Sequence, residues 1–367
     1  MKFNIERNKL LLGLQKVAGV VERKSTQPIL SHVFLHITSH QLKITGSDLE
    51  VEISSVVTLT EPAESGEITV PARKLLDICK ALPHDAVLTI KLDGEKVLLT
   101  TKKSRFTLST LPVDSFPRFT LSGKELEFNL NSGLLKDMIS RTFFSVAQQD
   151  VRFYLNGLLM QIKDKKLFSV TTDGHRLSLF KSDIEEDIQD YEIIIPKKGI
   201  NELQRLLDND EIEVEIHVTD KHLSVSSKGF TFISKLIEGK FPDYNDVLPK
   251  ESKIKIQLDR DDLKNALNRV SILTNEKYKG VSFQLKIGAL YLMSKNPEHE
   301  EAEEELPVEY TGDHLDIGFN VSYLLDILNH IPAGKVELSF TDSMSSVLVN
   351  SHNDTYDCLY VVMPMRI

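Results

Sequence analysis

Few residues in this chain are set out for bond chemistry. Asp173-Gly174-His175 brings a carboxylate and an imidazole within two positions, a pairing that could hold a metal or relay a proton. Three adjacent positions rarely converge on one ion, and Asp-Gly reads better as a turn. His299 lies inside Glu298-His299-Glu300-Glu301-Ala302-Glu303-Glu304-Glu305, where it could help hold a hard cation, although such a run is more often a solvated loop. The chain contains no Gly-x-x-x-x-Gly-Lys-Ser/Thr, no Gly-x-Ser-x-Gly and no His-Glu-x-x-His. An enzyme of nucleotide or sugar metabolism would have to work without any of these signatures. The expectation is a protein that catalyses nothing and holds no metal or cofactor.

What the sequence does offer is charge, and the charge is sorted. The formal net charge is −10, which by itself argues against a nucleic-acid partner. The segments expected to be helical are 6–24, 71–82, 131–150, 197–208, 259–279 and 320–331. Together they carry +6, leaving −16 on the remainder. Two of them open on basic pairs, Arg73-Lys74 and Lys197-Lys198, whereas Asn320 to Ile331 has no Lys or Arg. Lys96, Lys102, Lys103 and Arg105 crowd one predicted hairpin, opposite in sign to the glutamate run. A basic edge and an acidic edge on one chain invite head-to-tail association. Charge would set the register, and apolar residues such as Phe106, Ile272 and Leu273 would supply strength.

These features sit in a chain that repeats itself three times. Gly66-Glu67-Ile68-Thr69-Val70-Pro71, Tyr191-Glu192-Ile193-Ile194-Ile195-Pro196 and Leu315-Asp316-Ile317-Gly318-Phe319-Asn320 each run as a strand into an apolar-periodic helix. From Pro71 to Pro196 is 125 positions, and from Pro196 to Asn320 is 124. Phe3-Asn4-Ile5, Phe128-Asn129-Leu130 and Ile256-Gln257-Leu258 open the three repeats. Phe116-Pro117 and Phe241-Pro242 close the first two. A period this long is a whole domain, since solenoid repeats run to roughly 20–50 residues. The expected domains are 1–122, 123–250 and 251–367. Between the helices lie alternating strands and turn signals such as Asp93-Gly94, giving eight strands and two helices per repeat. The expected class is α+β, two helices packed on largely antiparallel sheets.

Heterologous contacts either close into rings or run on as filaments. Two chains of six helices supply twelve. At interaxial distances of about 8–10 Å, and with one helix diameter of about 10 Å subtracted, twelve helices enclose a hole of roughly 20–28 Å. Duplex DNA passes through such a hole, and a basic wall facing a polyanion is sensible. The alternative is a scaffold that displays peptide grooves and never surrounds DNA. Cys79 and Cys358 lie in different repeats without a Cys-x-x-Cys, so both are expected as buried, reduced thiols of the cytoplasm. No run of about 18 apolar residues suggests a membrane span, and the N-terminal residues show no secretory h-region.

The chain resembles the bacterial DNA polymerase III beta subunits, the replication sliding clamps. The resemblance covers essentially all 367 residues. It is carried most specifically by Thr172-Asp173-Gly174-His175-Arg176-Leu177, Phe241-Pro242-Asp243-Tyr244, Asn275-Glu276-Lys277, Gly318-Phe319-Asn320-Val321-Ser322-Tyr323 and Tyr360-Val361-Val362-Met363-Pro364-Met365-Arg366-Ile367. It implies a homodimeric ring of three repeated domains per chain, helices inside and sheets outside, that tethers the polymerase to DNA. It implies a DNA-facing surface including Lys24, Arg73, Gln149, Tyr154 and Lys198. It implies a dimer contact pairing Phe106 with Ile272 and Leu273, with Lys74, Lys96, Lys103 and Arg105 facing Glu298, Glu300, Glu301 and Glu304. A pocket for short peptide motifs would be lined by Leu155, Thr172, Gly174, His175, Arg176, Leu177, Pro242, Val247, Val361, Met363, Pro364 and Met365. The implied partners are duplex DNA, a second copy, the polymerase III alpha subunit, clamp-loader subunits, and other polymerases and repair proteins. The chain departs from the family where Lys24 replaces a common Arg and loses its bidentate fork. Phe153 replaces a common Tyr and loses a phenolic hydroxyl, and Asn350 to Cys358 diverges.

Overall fold

The structure, a computed structural model, describes residues 1–22, 26–121, 123, 126–184, 186, 188–207, 212–249, 252–352 and 354–366. Each third of the chain lays down the same ten elements in the same order. The first comprises β1 (Lys2–Glu6), α1 (Arg7–Val17), β2 (His32–Ile37), β3 (Gln41–Ser47), β4 (Val51–Thr58), β5 (Gly66–Pro71), α2 (Ala72–Ala81), β6 (Val87–Asp93), β7 (Lys96–Thr100) and β8 (Arg105–Ser109). The second comprises β9 (Leu126–Asn131), α3 (Ser132–Thr142), β10 (Gly157–Lys163), β11 (Lys166–Thr172), β12 (Arg176–Asp183), β13 (Tyr191–Pro196), α4 (Lys197–Leu206), β14 (Glu213–Val218), β15 (His222–Ser227) and β16 (Phe230–Lys235). The third comprises β17 (Ile254–Asp259), α5 (Arg260–Ser271), β18 (Gly280–Lys286), β19 (Ala289–Lys295), β20 (Glu301–Pro307), β21 (Leu315–Asn320), α6 (Val321–His330), β22 (Lys335–Phe340), β23 (Val347–Ser351) and β24 (Asp357–Val362). The class is α+β, and every strand pairing is antiparallel.

The helices form where apolar residues recur at helical spacing. Ala72, Leu75 and Cys79 are buried along α2, and Ile200, Leu203 and Leu206 along α4. Asp259 caps α5 by accepting the amides of Asp261 and Asp262, and Asn320 caps α6 through Ser322. Three helices are shorter than periodicity predicts. The 131–150 segment leaves the α-helix at Thr142, whose hydroxyl bonds back to the Met138 carbonyl, and a single 3-10 turn, Phe143–Ser145, follows. The 259–279 segment stops at Ser271, after which Ile272 and Leu273 donate to carbonyls only three residues back. The 6–24 segment stops at Val17, just before Gly19. Arg23 and Lys24 at its far end, like Asp208 at the end of 197–208, lie outside the described residues.

The chain divides into two compact bodies, one of Met1–Lys136 with Lys198–Leu236, the other of Asp137–Lys197 with Ile237–Ile367. Each contains an eight-stranded sheet assembled from two consecutive repeats. The first runs β5-β2-β3-β4-β16-β15-β14-β9, and the second runs β13-β10-β11-β12-β24-β23-β22-β17. The seams obey one rule: the fourth strand of a repeat pairs with the eighth strand of the next repeat. At β4·β16, Ile53 lies opposite Phe232, and at β12·β24, Leu177 lies opposite Val361. The remaining four-stranded sheets, β1-β6-β7-β8 and β20-β19-β18-β21, have β8 and β20 at their edges.

Arginines clasp helix ends beside both seams. In the first body, the Arg205 guanidinium donates at 2.8 Å to the Gln15 and Lys16 carbonyls, the last turn of α1. In the second, Arg141 donates to the His330 carbonyl that ends α6 and pairs with Asp354 at 3.2 Å. A cation at a helix C-terminus satisfies orphan carbonyls and complements the macrodipole.

Both cysteines are free and buried, and burial pushes each thiol up to about 12. No helix among the described residues is long and apolar enough to cross a membrane. Phe232 is fully buried at the first seam. Its replacement by Ala should lower unfolding free energy by about 3–5 kcal/mol, read as an earlier first transition in urea denaturation.

Candidate functional site

The twelve residues of the expected peptide pocket all fall within the second body, around the β12·β24 seam. Leu177 of β12 and Val361 of β24 face each other across the ladder and are buried. Leu155, on the 3-10 turn Phe153–Asn156, joins them in one apolar cluster with Ala147, Leu159, Val170, Leu179, Ile194 and Phe241. Leu155, Leu177 and Val361 therefore belong to the buried core under the seam, and more exposed groups stand at its rim. Pro242 and Val247 are exposed on the loop after Phe241. That loop is fixed by the Tyr244 hydroxyl, 3.0 Å from the Gln161 side-chain oxygen, and by Asp243, which caps the turn through Asn245. Met363, half exposed, donates its amide to the His175 carbonyl at 2.9 Å, and Met365 donates to Gly318 at 2.8 Å. The terminal segment is thus bonded at two points, with Pro364 between them.

The turn 172–176 positions the polar rim. Asp173 Oδ1 accepts the amides of His175 and Arg176, and Thr172 Oγ1 accepts the amide of Gly174 while donating to the Arg176 carbonyl. Gly174 has φ +87°, and a Cβ there would approach the Arg152 guanidinium to 2.9 Å, so the turn needs glycine. Asp173-Gly174-His175 is a turn, as its composition suggests. No group of three or more metal-binding side chains occurs among the described residues.

Arg176 holds the site together. Its guanidinium meets Asp173 at 3.0 Å and Asp326 at 2.6 Å, donates to the Phe144 carbonyl at 2.7 Å, and lies over the Tyr323 ring at 4.5 Å. The His175 ring stacks on the same tyrosine, centroids 6.4 Å apart. Burial raises the Tyr323 hydroxyl above its ordinary range, with Asp173 adding to the effect, so it stays protonated. Sequence reading assigned no site role to Arg152, Phe144, Tyr323 or Asp326. Tyr323 was visible only as part of a family motif, and a contact such as Arg176 to Asp326, 150 positions apart, leaves no local signal.

Of the expected DNA-facing residues, Gln149 and Tyr154 share one loop. Gln149 is exposed with φ +53°, and Tyr154 packs against the apolar cluster, its ring in a T-shaped contact with that of exposed Phe153. Asn156 locks this loop through two bonds to the Asp150 backbone. Hydrogen bonds from the Arg152 side chain and amide hold the Asp150 carboxyl down to about 2. Because the folded value is depressed, this contribution is present above the ordinary aspartate range and disappears as pH falls toward 2. Arg73 is exposed on α2 in the first body. Lys198 is also half exposed, but its Nζ lies 2.6 Å from the buried Asp48 carboxylate, which sequence reading did not anticipate. Lys24 lies outside the described residues.

The expected association residues mark two sheet edges. Lys96, Lys103 and Arg105 are exposed on and beside β8, with Phe106 half-buried between them, and Lys74 is exposed on α2. Ile272 is 77% exposed at the end of α5, with Leu273 half-buried beside it. The glutamate run is part strand: Glu301 and Glu304 lie on β20, with Glu298 and Glu300 in the turn before it. Glu304 accepts a two-pronged bond from Arg269 at 2.6 and 2.7 Å, and Glu301 pairs with Lys295. Those two carboxylates already have partners within the chain.

Threefold repetition of one domain, an apolar cluster beneath a polar turn at the β12·β24 seam, and edge strands of opposite charge are the arrangement of a clamp-type binding protein. Residues 1–121, 129–243 and 245–366 match, in order, the N-terminal, central and C-terminal domains of the DNA polymerase III beta subunit. The chain is 50% identical to the beta sliding clamp of Pseudomonas putida and 42% identical to that of Escherichia coli K12, each over the full length of both proteins. It superimposes with a TM-score of 0.96, at 49% identity over all of both chains, on a Pseudomonas aeruginosa sliding clamp bound to griselimycin. The chain belongs to the bacterial DNA polymerase III beta subunit family, the sliding clamps, which are processivity factors and not enzymes.

Replacing Arg176 by Met should cost about 3–5 kcal/mol, the scale for removing one partner of a buried ion pair. Urea denaturation of the purified protein reads it directly. The residual exposure of Asp326 makes the lower end the expectation.

Proposed function

We propose that two copies of this chain close head to tail into a ring around duplex DNA. The ring tethers the replicative polymerase and other factors through the pocket at the β12·β24 seam. The observation that carries this reading is the seam rule. The fourth strand of repeat one pairs with the eighth of repeat two, and the fourth of repeat two with the eighth of repeat three. Applied once more, the rule matches the fourth strand of repeat three, β20, with the eighth of repeat one, β8. Two chains set head to tail would satisfy that pairing twice. Charge supports the match, since Lys96, Lys103 and Arg105 flank one edge and Glu298, Glu300 and Glu301 the other. Ile272 and Leu273 against Phe106 supply the apolar contact.

DNA contact is assigned to the helices, with Arg73, Lys198, Lys24, Gln149 and Tyr154 meeting the backbone. Within their observed bounds the six helices carry 14 Lys and Arg against 6 Asp and Glu, a net +8 on a chain of −10. Contacts that are few and water-mediated permit sliding, while topology prevents escape. The partner pocket suits an extended peptide: an apolar floor takes anchor side chains, and Met363 and Met365 adapt to different ones. The griselimycin-bound relative supports a ligand-binding role. Polymerase III alpha, clamp-loader subunits and repair proteins are the partners such a pocket would take, within the cytoplasm. The functional domains are assigned to 1–122, 123–250 and 251–367.

Once a loader has placed the protein on nicked circular DNA, it should remain bound through gel filtration and be lost after linearisation. Equal retention on both forms would refute encirclement and favour a scaffold. The double substitution Ile272→Ala and Leu273→Ala should convert dimer to monomer in native mass spectrometry at nanomolar protein. An undiminished dimer would place the seam elsewhere.

A further inference from the structure

The β3–β4 turn of the first repeat holds a carboxylate in an unusual position. Asp48 Oδ1 accepts the amides of Glu50 and Val51 at 2.9 and 2.7 Å, closing a three-residue turn in which Leu49 takes φ +75°. The side chain is fully buried, and its second oxygen, Oδ2, has no hydrogen-bond donor aligned with it. What that oxygen has is the Lys198 ammonium at 2.6 Å. Lys198 is the second residue of α4, where the helix dipole disfavours a cation, and its own side chain remains 49% exposed. The basic group and the buried anion therefore serve each other. An ammonium drawn away to a phosphate would leave a buried carboxylate uncompensated, which is costly.

We propose that Asp48 acts as an internal stand-in for phosphate, holding Lys198 in reserve and weakening the grip of the clamp on DNA. The assignment rests on the reading that Lys198 belongs to the DNA-facing surface, and it deepens that reading. A ring that must slide gains from a lysine whose charge is answered at home, because each fully engaged phosphate contact adds drag and salt sensitivity. Asp48 weakens one such contact without removing the positive group that keeps DNA nearby.

The test is binding of a labelled short duplex to the full-length protein, followed by fluorescence anisotropy between 50 and 200 mM salt. Asp48→Asn keeps the turn, since the amide oxygen still accepts the two backbone N–H groups, but removes the charge that holds Lys198. The variant should bind more tightly, with a log–log salt slope steeper by about 0.9, so that its advantage is about 3.5-fold larger at 50 than at 200 mM salt. Lys198→Ala should flatten the slope by about 0.9 in the Asp48→Asn background and by much less in the wild-type protein. A slope unchanged by Asp48→Asn overturns the proposal. So does a full flattening by Lys198→Ala in the wild-type protein, an arm that decides the matter even if the Asp48 variant folds poorly. Arg73→Ala separates the two readings. If it weakens binding while Asp48→Asn adds nothing, the Asp48 assignment alone fails. If it leaves the slope untouched, the DNA-facing surface fails and takes this assignment with it.

Discussion

The backbone hydrogen bonds that join one repeat to the next are the constraint on which the structure depends. A sheet edge exposes a row of donors and acceptors that must find partners or be protected. In each compact body that edge is answered by the following repeat, so two four-stranded halves become one eight-stranded sheet. Side chains then complete what the backbone begins. Ile53 meets Phe232 and Leu177 meets Val361 at the ladders, and Arg205 and Arg141 cap neighbouring helix ends beside them. A chain built this way ends with β8 and β20 at the borders of its smaller sheets. Their opposite charges discourage each from pairing with its own kind, since like charges placed directly opposite are destabilising.

The pocket we propose follows from the same seam. Its floor lies where a strand of repeat two meets a strand of repeat three, so neither repeat alone could form it. The terminal methionines reach the rim because β24 is the seam strand and the chain runs on from it. Two backbone bonds, Met363 to His175 and Met365 to Gly318, carry that segment beyond the sheet. Arg176 ties turn 172–176 to α6 through Asp326 and to the 3-10 turn after α3 through the Phe144 carbonyl. A single guanidinium thus positions the rim relative to three elements, a task suited to the planar fork of arginine rather than to a lysine.

Much of this was legible in the sequence because repetition multiplies weak signals. Eight strands and two helices recur in each third, and their order was readable from alternation and helical spacing. Helix ends were less legible. Apolar periodicity continues past Thr142 and Ser271 in the sequence, and only the local bonds of Thr142 and the tightened turn after Ser271 show where the helices stop. The expected pocket residues came from family motifs, and which of them are buried and which exposed needed the fold. The partners of Arg176 and Lys198 were hidden because charge pairing between distant segments has no periodicity. One clue was present: Asp48 and Asp173 are separated by 125 positions, the same interval as Pro71 and Pro196.

That interval shows how three copies of one turn came to do different work. The turns at 48–50 and 173–175 each span three residues between paired strands, open on aspartate, and place the next residue at positive φ. In both, Oδ1 caps the turn and Oδ2 is left to bind a cation. Beside Asp173 that cation is Arg176, at the head of β12, and beside Asp48 it is Lys198, at the head of α4. The third turn, 296–300, is two residues longer, and the residue opening it is Asn296, whose side-chain oxygen accepts the Glu300 amide. An amide carries no charge to recruit a cation, and the turn leads into β20, an edge strand. The spare carboxylate oxygen is thus kept where a seam is closed within the chain, and is absent where the edge is left open.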